Sequence, residues 1–313
     1  MTADPIRVEA VRGDVAESVH LIDVAVAGAD GRLLASAGDP EAVAYLRSSA
    51  KPVQATVSME LGWQPPGMEQ LAVACASHNG ESVHVAAVRR TLEAAGVDES
   101  ALRCPPAMPA RGALPPEPAR IFHNCSGKHA GMVAASIAAG LDPAAYLEPD
   151  GVIQTRVRER VEGLTGAAAR AVASDGCGAR TFAFALHEMA AMFARLPGWC
   201  GAALEAMRAH PYLVAGEARL CTATMRSGAP VVLKVGAEGL LCGVMLDDGR
   251  GFAIKSRDGT ARGREEAAVW LLNTLGAVDD ATKAEILGEV MPPLLGTSGA
   301  QPMMRVQGEL RTA

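Results

Sequence analysis

Val231-Val232-Leu233-Lys234-Val235 returns the chain to strand character after a long helical stretch, and the runs 239–245 and 251–255 continue it. All three are short and largely β-branched or aliphatic, and they are separated by Ala237-Glu238-Gly239 and by Asp247-Asp248-Gly249-Arg250-Gly251, both turn-forming sequences. The other end of the chain has the same character. Ile6-Arg7-Val8-Glu9-Ala10 alternates, 20–26 is a short β-rich run, Ala29-Asp30-Gly31 signals a turn, and 32–35 reads as the returning strand. Between these ends, from Lys51 to about Gly216, apolar residues recur every three or four positions. That spacing predicts helices over 84–95, 131–139, 152–164, 181–195 and 202–209, with Gly96, Gly140, Gly166 and Gly198 at their ends. Two more helices are expected at 263–275 and 280–290, then a last strand at 303–306 inside a Pro/Gly-rich tail. Strands, helices, strands, helices in this order point to an α/β (α+β) chain whose antiparallel sheet draws on both ends, with a helical subdomain inserted. On this reading residues 1–313 form one domain, with a sheet subdomain over 1–50 and 217–313 and a mainly helical one over 51–216.

Composition narrows the function. The chain has 313 residues, 49% hydrophobic and 20% charged, enough for a sizeable core and unlike a disordered chain. Lys plus Arg number 29 against 35 Asp plus Glu, giving a net charge of −6 with no dense basic cluster, so a nucleic-acid partner is not expected. No apolar run is long enough for a membrane span, and the N-terminus lacks the apolar core of a secretory signal. Seven scattered cysteines do not read as a disulfide framework. These features together suggest a cytoplasmic protein. Only five lysines are present, and Lys51, Lys128 and Lys255 fall in chemically suggestive surroundings.

Ser48 lies three residues before Lys51, a spacing that places hydroxyl and ammonium on one face of a helical turn. A lysine can serve a serine as general base when burial or a neighbouring cation depresses its pKa. Pro52 disfavours helical geometry at Lys51, so the pair is expected on a turn that leads into the helix. Ser77-His78-Asn79 follows a buried-looking run, and Lys255 ends a strand just before Ser256-Arg257-Asp258-Gly259. Penicillin-recognising serine hydrolases use a Ser-x-x-Lys, a Ser-x-Asn and a strand-borne Lys in this chain order. His78 is read as a structural hydrogen-bonding residue, and Glu81 as a first-turn carboxylate or a substrate contact. His123-Asn124-Cys125-Ser126-Gly127-Lys128-His129 opens a helix with Asn124 or Ser126 as its cap. Asp175-Gly176-Cys177-Gly178 is a tight glycine-bearing loop able to present N–H groups to an anion.

Arg47-Ser48-Ser49-Ala50-Lys51-Pro52, Ala76-Ser77-His78-Asn79-Gly80-Glu81, the block 123–132 and Asp175-Gly176-Cys177-Gly178 resemble the rhizobial-type (class 3, asparaginase II) L-asparaginases. The resemblance runs nearly the whole chain. It implies a serine β-lactamase/glutaminase-like fold, a homodimer, and hydrolysis of L-asparagine to L-aspartate and ammonia. It also implies two Ser–Lys tandems, Ser48 with Lys51 and Ser77 with Lys255. Cys125, Lys128 and Cys177 match positions that hold a zinc ion beside the active site, and Arg47, His129 and Asp175 match substrate-pocket positions. For the zwitterionic substrate, Arg47 and Asp175 are the candidate counter-charges, with Glu81 in reserve. Ala179-Arg180 departs from the family pattern, which leads one to expect a proline near 180. Which serine is the nucleophile stays open, since both tandems are chemically adequate. The rivals are a penicillin-recognising serine hydrolase and a non-catalytic zinc- or redox-binding protein.

Overall fold

A computed structural model describes residues 3–290 and 303–313; most of the Pro/Gly-rich tail, 291–302, lies outside the described residues. The chain separates into two compact units: Met1–Ser49 with Ala183–Arg195 and Ala218–Ala313, and Ala50–Phe182 with Leu196–Glu217.

The first unit carries an antiparallel sheet built from both ends of the chain. Its spatial order is Met303–Gln307, Ile6–Arg12, Val15–Ala27, Gly251–Ser256, Leu240–Met245 and Val231–Val235; Leu33–Ala37 also pairs with Val15–Ala27, and Arg311–Thr312 with Leu33–Ala37. The strand Val15–Ala27 is long enough to bind partners on both sides, and it joins the N-terminal hairpin to the C-terminal strands through Ile22↔Ser256 and Asp23↔Lys255. The three C-terminal strands are almost wholly buried, which explains their near-continuous apolar character. Polar residues fix the edge and the turns. Glu9 accepts from Arg7 at 2.8 Å and Arg305 at 2.7 Å, and Asp23 pairs with Arg257 at 2.7 Å while accepting from the Asp39 N–H.

The second unit is mainly helical: Lys51–Glu60, Met68–Ala74, Ser82–Ala94, Ser126–Ala138, Val152–Thr165, Gly201–Ala209 and Pro211–Val214. Gly96, Gly140 and Gly166 take positive φ just beyond helix ends, as the spacing predicts. The helix Ser126–Ala138 lies very close to Met68–Ala74. A Cβ on Gly127 would come 2.1 Å from the Val73 carbonyl oxygen, so only glycine permits this approach.

Several local expectations are corrected. The expected helix 181–195 is instead a strand, Arg180–Ala185, followed by a helix, Leu186–Trp199. Phe182 and Phe184 alternate with small residues in the strand, and Ala183–Ala185 pair with Val43–Tyr45. Because both faces are buried, a period of two is hidden under what reads as a helical pattern. Gly198 sits inside that helix rather than at its end, and helical geometry runs past Pro197 to Trp199. The helix at 131–139 begins a turn earlier, at Ser126, and its cap position is Cys125, not Asn124 or Ser126. A short strand, Ala171–Ser174, and a helix, Leu220–Arg226, have no counterpart in the expected pattern. Among the described residues no helix is long and apolar enough to cross a membrane. All seven cysteines are buried, and none is in a disulfide among the described residues.

Candidate active site

Lys51 is the first residue of its helix, with Pro52 second, where the missing proline N–H leaves no intrahelical bond unmade. Arg47–Ala50 form the 3₁₀ turn that leads into it, so Ser48 and Lys51 straddle turn and helix as expected. The lysine is 1% exposed. Its Nζ donates to the Ala76 carbonyl, to Ser77 Oγ at 3.0 Å and to the Asn124 carbonyl at 3.4 Å. This arrangement restricts the nitrogen. Two peptide carbonyls take two N–H groups and cannot donate in return, so the third position, a proton or a lone pair, is directed at the Ser77 hydroxyl. Ser77 is held by its backbone: its N–H bonds the Val214 carbonyl, and that of Asn79 bonds the Ala215 carbonyl.

Beneath this pair the histidines are structural. The Gly80 N–H donates to His78 Nδ1 at 3.1 Å, which leaves His78 Nε2 to donate to Ser126 Oγ at 3.0 Å. Burial, with His84 and Lys51 nearby, pushes the His78 pKa well down and keeps the ring neutral. His78, His84 and Tyr212 stack in sequence, with ring centroids 5.0 and 5.8 Å apart.

Cys125, Lys128 and Cys177 come together although 52 residues separate the two thiols in sequence. Lys128 Nζ lies 2.8 Å from Cys177 Sγ, and all three side chains are buried. His123 Nδ1 accepts the Cys125 N–H at 3.0 Å and so orders the entry to the helix. A hydrogen bond from Cys177 holds the Cys125 thiol far below its ordinary pKa, against burial and with help from Lys51 and Lys128. Burial works against the Lys128 ammonium, but Cys125 and Cys177 outweigh it and raise its pKa. Thiolate sulfur is an established zinc donor, and the amine nitrogen beside it has a lone pair for a metal only as the free base. Among the described residues no group of three or more His, Cys, Asp or Glu could hold a metal.

His129, the next residue, is fully buried, with Nδ1 2.6 Å from Tyr146 Oη. Asp175 closes its loop through the bonds Asp175 N–H to Ala179 O and Gly178 N–H to Asp175 O, both 2.8 Å. Glu81 stands at the cap position of Ser82–Ala94 and is already occupied. It accepts from Tyr212 Oη, from Asn79 Nδ2 at 3.0 Å and from the Glu217 N–H at 3.3 Å. These bonds outweigh burial and lower its pKa. The sign of the pH effect follows: the unfolded chain binds the proton more tightly, so the stability from Glu81 is complete above the ordinary carboxylate range and is lost as pH falls through its lowered native value. Glu81→Gln is therefore expected to flatten the melting-temperature profile below about pH 4.5 and to lower the melting temperature at neutral pH. Thermal unfolding of both proteins across pH 3–7 checks this, and parallel profiles would remove Glu81 as the cause.

Three of the expected site residues belong to the sheet-bearing unit. Arg47 holds a left-handed backbone, φ 47°, immediately before Ser48. Non-glycine residues adopt this conformation at a cost and concentrate at functional sites. Ser48 is half-buried. Lys255 sits on Gly251–Ser256 opposite Asp23 and Leu240. Burial lowers its pKa, against the pull of Glu238, Asp258 and Asp23. Other participants carry no signal in the sequence. The carbonyls of Ala76 and Asn124 are backbone groups, and Tyr146 falls outside any periodic element.

A family model described as L-asparaginase II matches residues 8–307. The chain belongs to the L-asparaginase II family. No curated protein matches this family member. Among solved structures the chain is similar to Mglu at 14% identity and a TM-score of 0.47, covering 82% of itself and 67% of Mglu. It is also similar to a Bacillus glutaminase in 4.3 M NaCl, at 12% identity and TM-score 0.46, with 80% and 91% covered. A β-lactamase from Mycobacterium bovis is similar at 14% identity and TM-score 0.39, with 82% and 95% covered. In other crystals of Mglu the chain spans 59% to 64% of that protein's length. The family assignment rests on the sequence match alone.

Proposed function

We propose that this L-asparaginase II family member is an amidohydrolase that releases ammonia from the side chain of L-asparagine by a Ser–Lys acyl-enzyme mechanism. The observation that carries the reading is Lys51 Nζ, buried and oriented by two carbonyls so that its remaining position meets the hydroxyl of Ser77, the serine cast below as the proton relay. Ser48 Oγ attacks the amide carbon while Lys51 takes its proton. The C–N bond breaks as the departing nitrogen gains a proton and leaves as ammonia, and a β-aspartyl ester remains. Water then opens the ester to L-aspartate and regenerates the Ser48 hydroxyl. Ser77 passes the proton between Lys51 and the leaving nitrogen, with Lys255 as the second lysine of the rhizobial-type pattern. Backbone N–H groups, that of Ser48 among them, stabilise the oxyanion. Arg47 takes the substrate carboxylate and Asp175 its ammonium. Glu81 is left out, because its carboxylate is committed to Tyr212, Asn79 and Glu217. The enzyme acts in the cytoplasm as a homodimer.

The same reading gives Cys125, Lys128 and Cys177 a zinc ion, which supplies a positional clamp on two loops and no nucleophile. Only the free amine of Lys128 has a lone pair for a metal, so binding must release protons from the buried cluster. Cys177→Ser is expected to lose bound zinc and to raise KM for L-Asn by about tenfold while kcat changes much less. Metal analysis beside steady-state kinetics on the untreated, chelated and Cys177→Ser proteins reads this out. Zinc retained by the variant removes Cys177 as a ligand, and a fall confined to kcat makes the metal catalytic. The function itself is tested by ammonia release from L-Asn, L-Gln and a chromogenic β-lactam with the purified chain. Glutamine is one methylene longer, a difference worth only about 1–3 kcal/mol of discrimination. Turnover of the β-lactam alone would overturn the reading.

A further inference from the structure

Tyr146 Oη receives the Arg103 backbone N–H at 2.8 Å and lies 2.6 Å from His129 Nδ1. A phenol has one hydrogen to give. Arg103 can only donate to it, and His129 Nδ1 is the other hydrogen-bond partner of the hydroxyl among the described residues, so the tyrosine hydrogen goes to Nδ1, since the reverse polarity would leave that hydrogen buried without an acceptor. The neutral imidazole consequently carries its hydrogen on Nε2. Burial raises the Tyr146 pKa, so the phenol keeps its proton. The edge-on ring geometry, with centroids 5.4 Å apart and planes at 84°, holds the pair in this orientation. At the other side of the imidazole, Nε2 is buried and has no hydrogen-bond partner among the described residues. A buried N–H without an acceptor is costly and uncommon, and it is tolerated where a ligand supplies the acceptor.

We infer that Tyr146 is a positioning residue that fixes the Nε2–H tautomer of His129, so that this buried N–H is presented as a hydrogen-bond donor to an oxygen of the substrate. The inference rests on the proposed amidohydrolase reading for the identity of the ligand, but the tautomer follows from the hydrogen bonds alone. Without the tyrosine hydroxyl, Nδ1–H and Nε2–H forms compete, and in the first of these the nitrogen facing the substrate is an acceptor that repels the same oxygen. The effect therefore falls on substrate affinity, since the pair neither attacks nor moves the reacting proton.

The test uses the full chain as purified, with Tyr146→Phe, His129→Gln and the double variant. Histidine side-chain ¹⁵N–¹H correlation spectra of the wild type should show His129 protonated at Nε2 and bare at Nδ1, and Tyr146→Phe should give a tautomer mixture. KM for L-Asn should rise about tenfold in Tyr146→Phe, with kcat within about threefold of wild type. Glutamine presents an amide N–H near the Nε2 position and has no tautomer to lose. In the His129→Gln background, adding Tyr146→Phe should therefore change KM by less than about twofold, where independent effects would multiply. An Nδ1–H tautomer in the wild type overturns the inference, and so does an equal KM penalty in both backgrounds, which would mean that Tyr146 acts only through packing. If the wild type releases no ammonia from L-Asn, the functional reading fails while the spectra still decide the tautomer.

Discussion

Ser48→Ala is expected to lower kcat for L-Asn by about 10⁴-fold or more, as loss of the attacking group does in serine hydrolases. Ser77→Ala should cost about 10²-fold, the scale of a proton-transfer contribution. The asymmetry has a structural basis. A nucleophile must be reached by its substrate, and Ser48 is half-buried at the end of a 3₁₀ turn, directly after the strained backbone of Arg47. Ser77 is 4% exposed, and its hydroxyl is already engaged by Lys51. Its position suits a relay better than an attacking group. Neither change removes a core packing group, so circular dichroism and the melting temperature should stay close to wild type. Kinetics of the two variants, with mass spectrometry of protein quenched during turnover, separate the roles. The ester should be found on the peptide bearing Ser48. An ester on Ser77, or a Ser77→Ala variant as dead as Ser48→Ala with no ester on either, would reverse the assignment.

The sequence was most informative where side chains carry the pattern. Alternation at Ile6–Arg12 and the short apolar runs from Val231 onward are legible because each strand buries a continuous or alternating set, and the pairing of the two chain ends follows from their order. The strand Arg180–Ala185 was illegible for the opposite reason: with nearly every residue buried, apolar spacing distinguishes strand from helix poorly. The chemistry shows the same division. Lys51, Ser77, Cys125, Lys128 and Cys177 stand out as residue types in unusual company, but their mutual placement depends on the chain path. Sequence spacing pairs Lys51 with Ser48, three residues away. The hydroxyl that Lys51 meets inside the helical unit belongs to Ser77, 26 residues away. The groups that aim the lysine are two peptide carbonyls, which leave no trace in residue identity. Glu81 was ambiguous in sequence because a carboxylate at a helix start suits a cap or a ligand equally. The partners its oxygens meet, Tyr212, Asn79 and the Glu217 N–H, depend on the chain path and leave no mark at 81 itself.

Lys51→Met should abolish measurable turnover, with a fall of about 10³-fold or more if the lysine is the general base. Methionine matches the length of the buried stem but removes the lysine donor from the carbonyl of Ala76, a loss of about 1–3 kcal/mol when no other partner is found, whereas the Asn124 carbonyl keeps the His78 N–H. Loss of activity in this variant alone therefore confuses chemistry with folding. Lys51→Arg separates the two. Its guanidinium has donors enough for both carbonyls, but it does not give up a proton in proteins and cannot serve as a base. If Lys51 only stapled Ala76 and Asn124 together, the arginine variant would keep a substantial part of the rate. If it takes the serine proton, the arginine variant fails while its unfolding midpoint in urea stays above that of Lys51→Met. Lys51→Ala adds a gain-of-function arm, because the truncated side chain leaves room beside Ser77 for a small primary amine. Ethylamine should restore part of the rate in that variant and do nothing for wild type, with the rescued rate rising as the free-amine fraction of ethylamine rises. More than about a tenth of wild-type kcat in Lys51→Arg, or rescue that follows total ethylamine rather than its neutral form, would end the lysine-base mechanism.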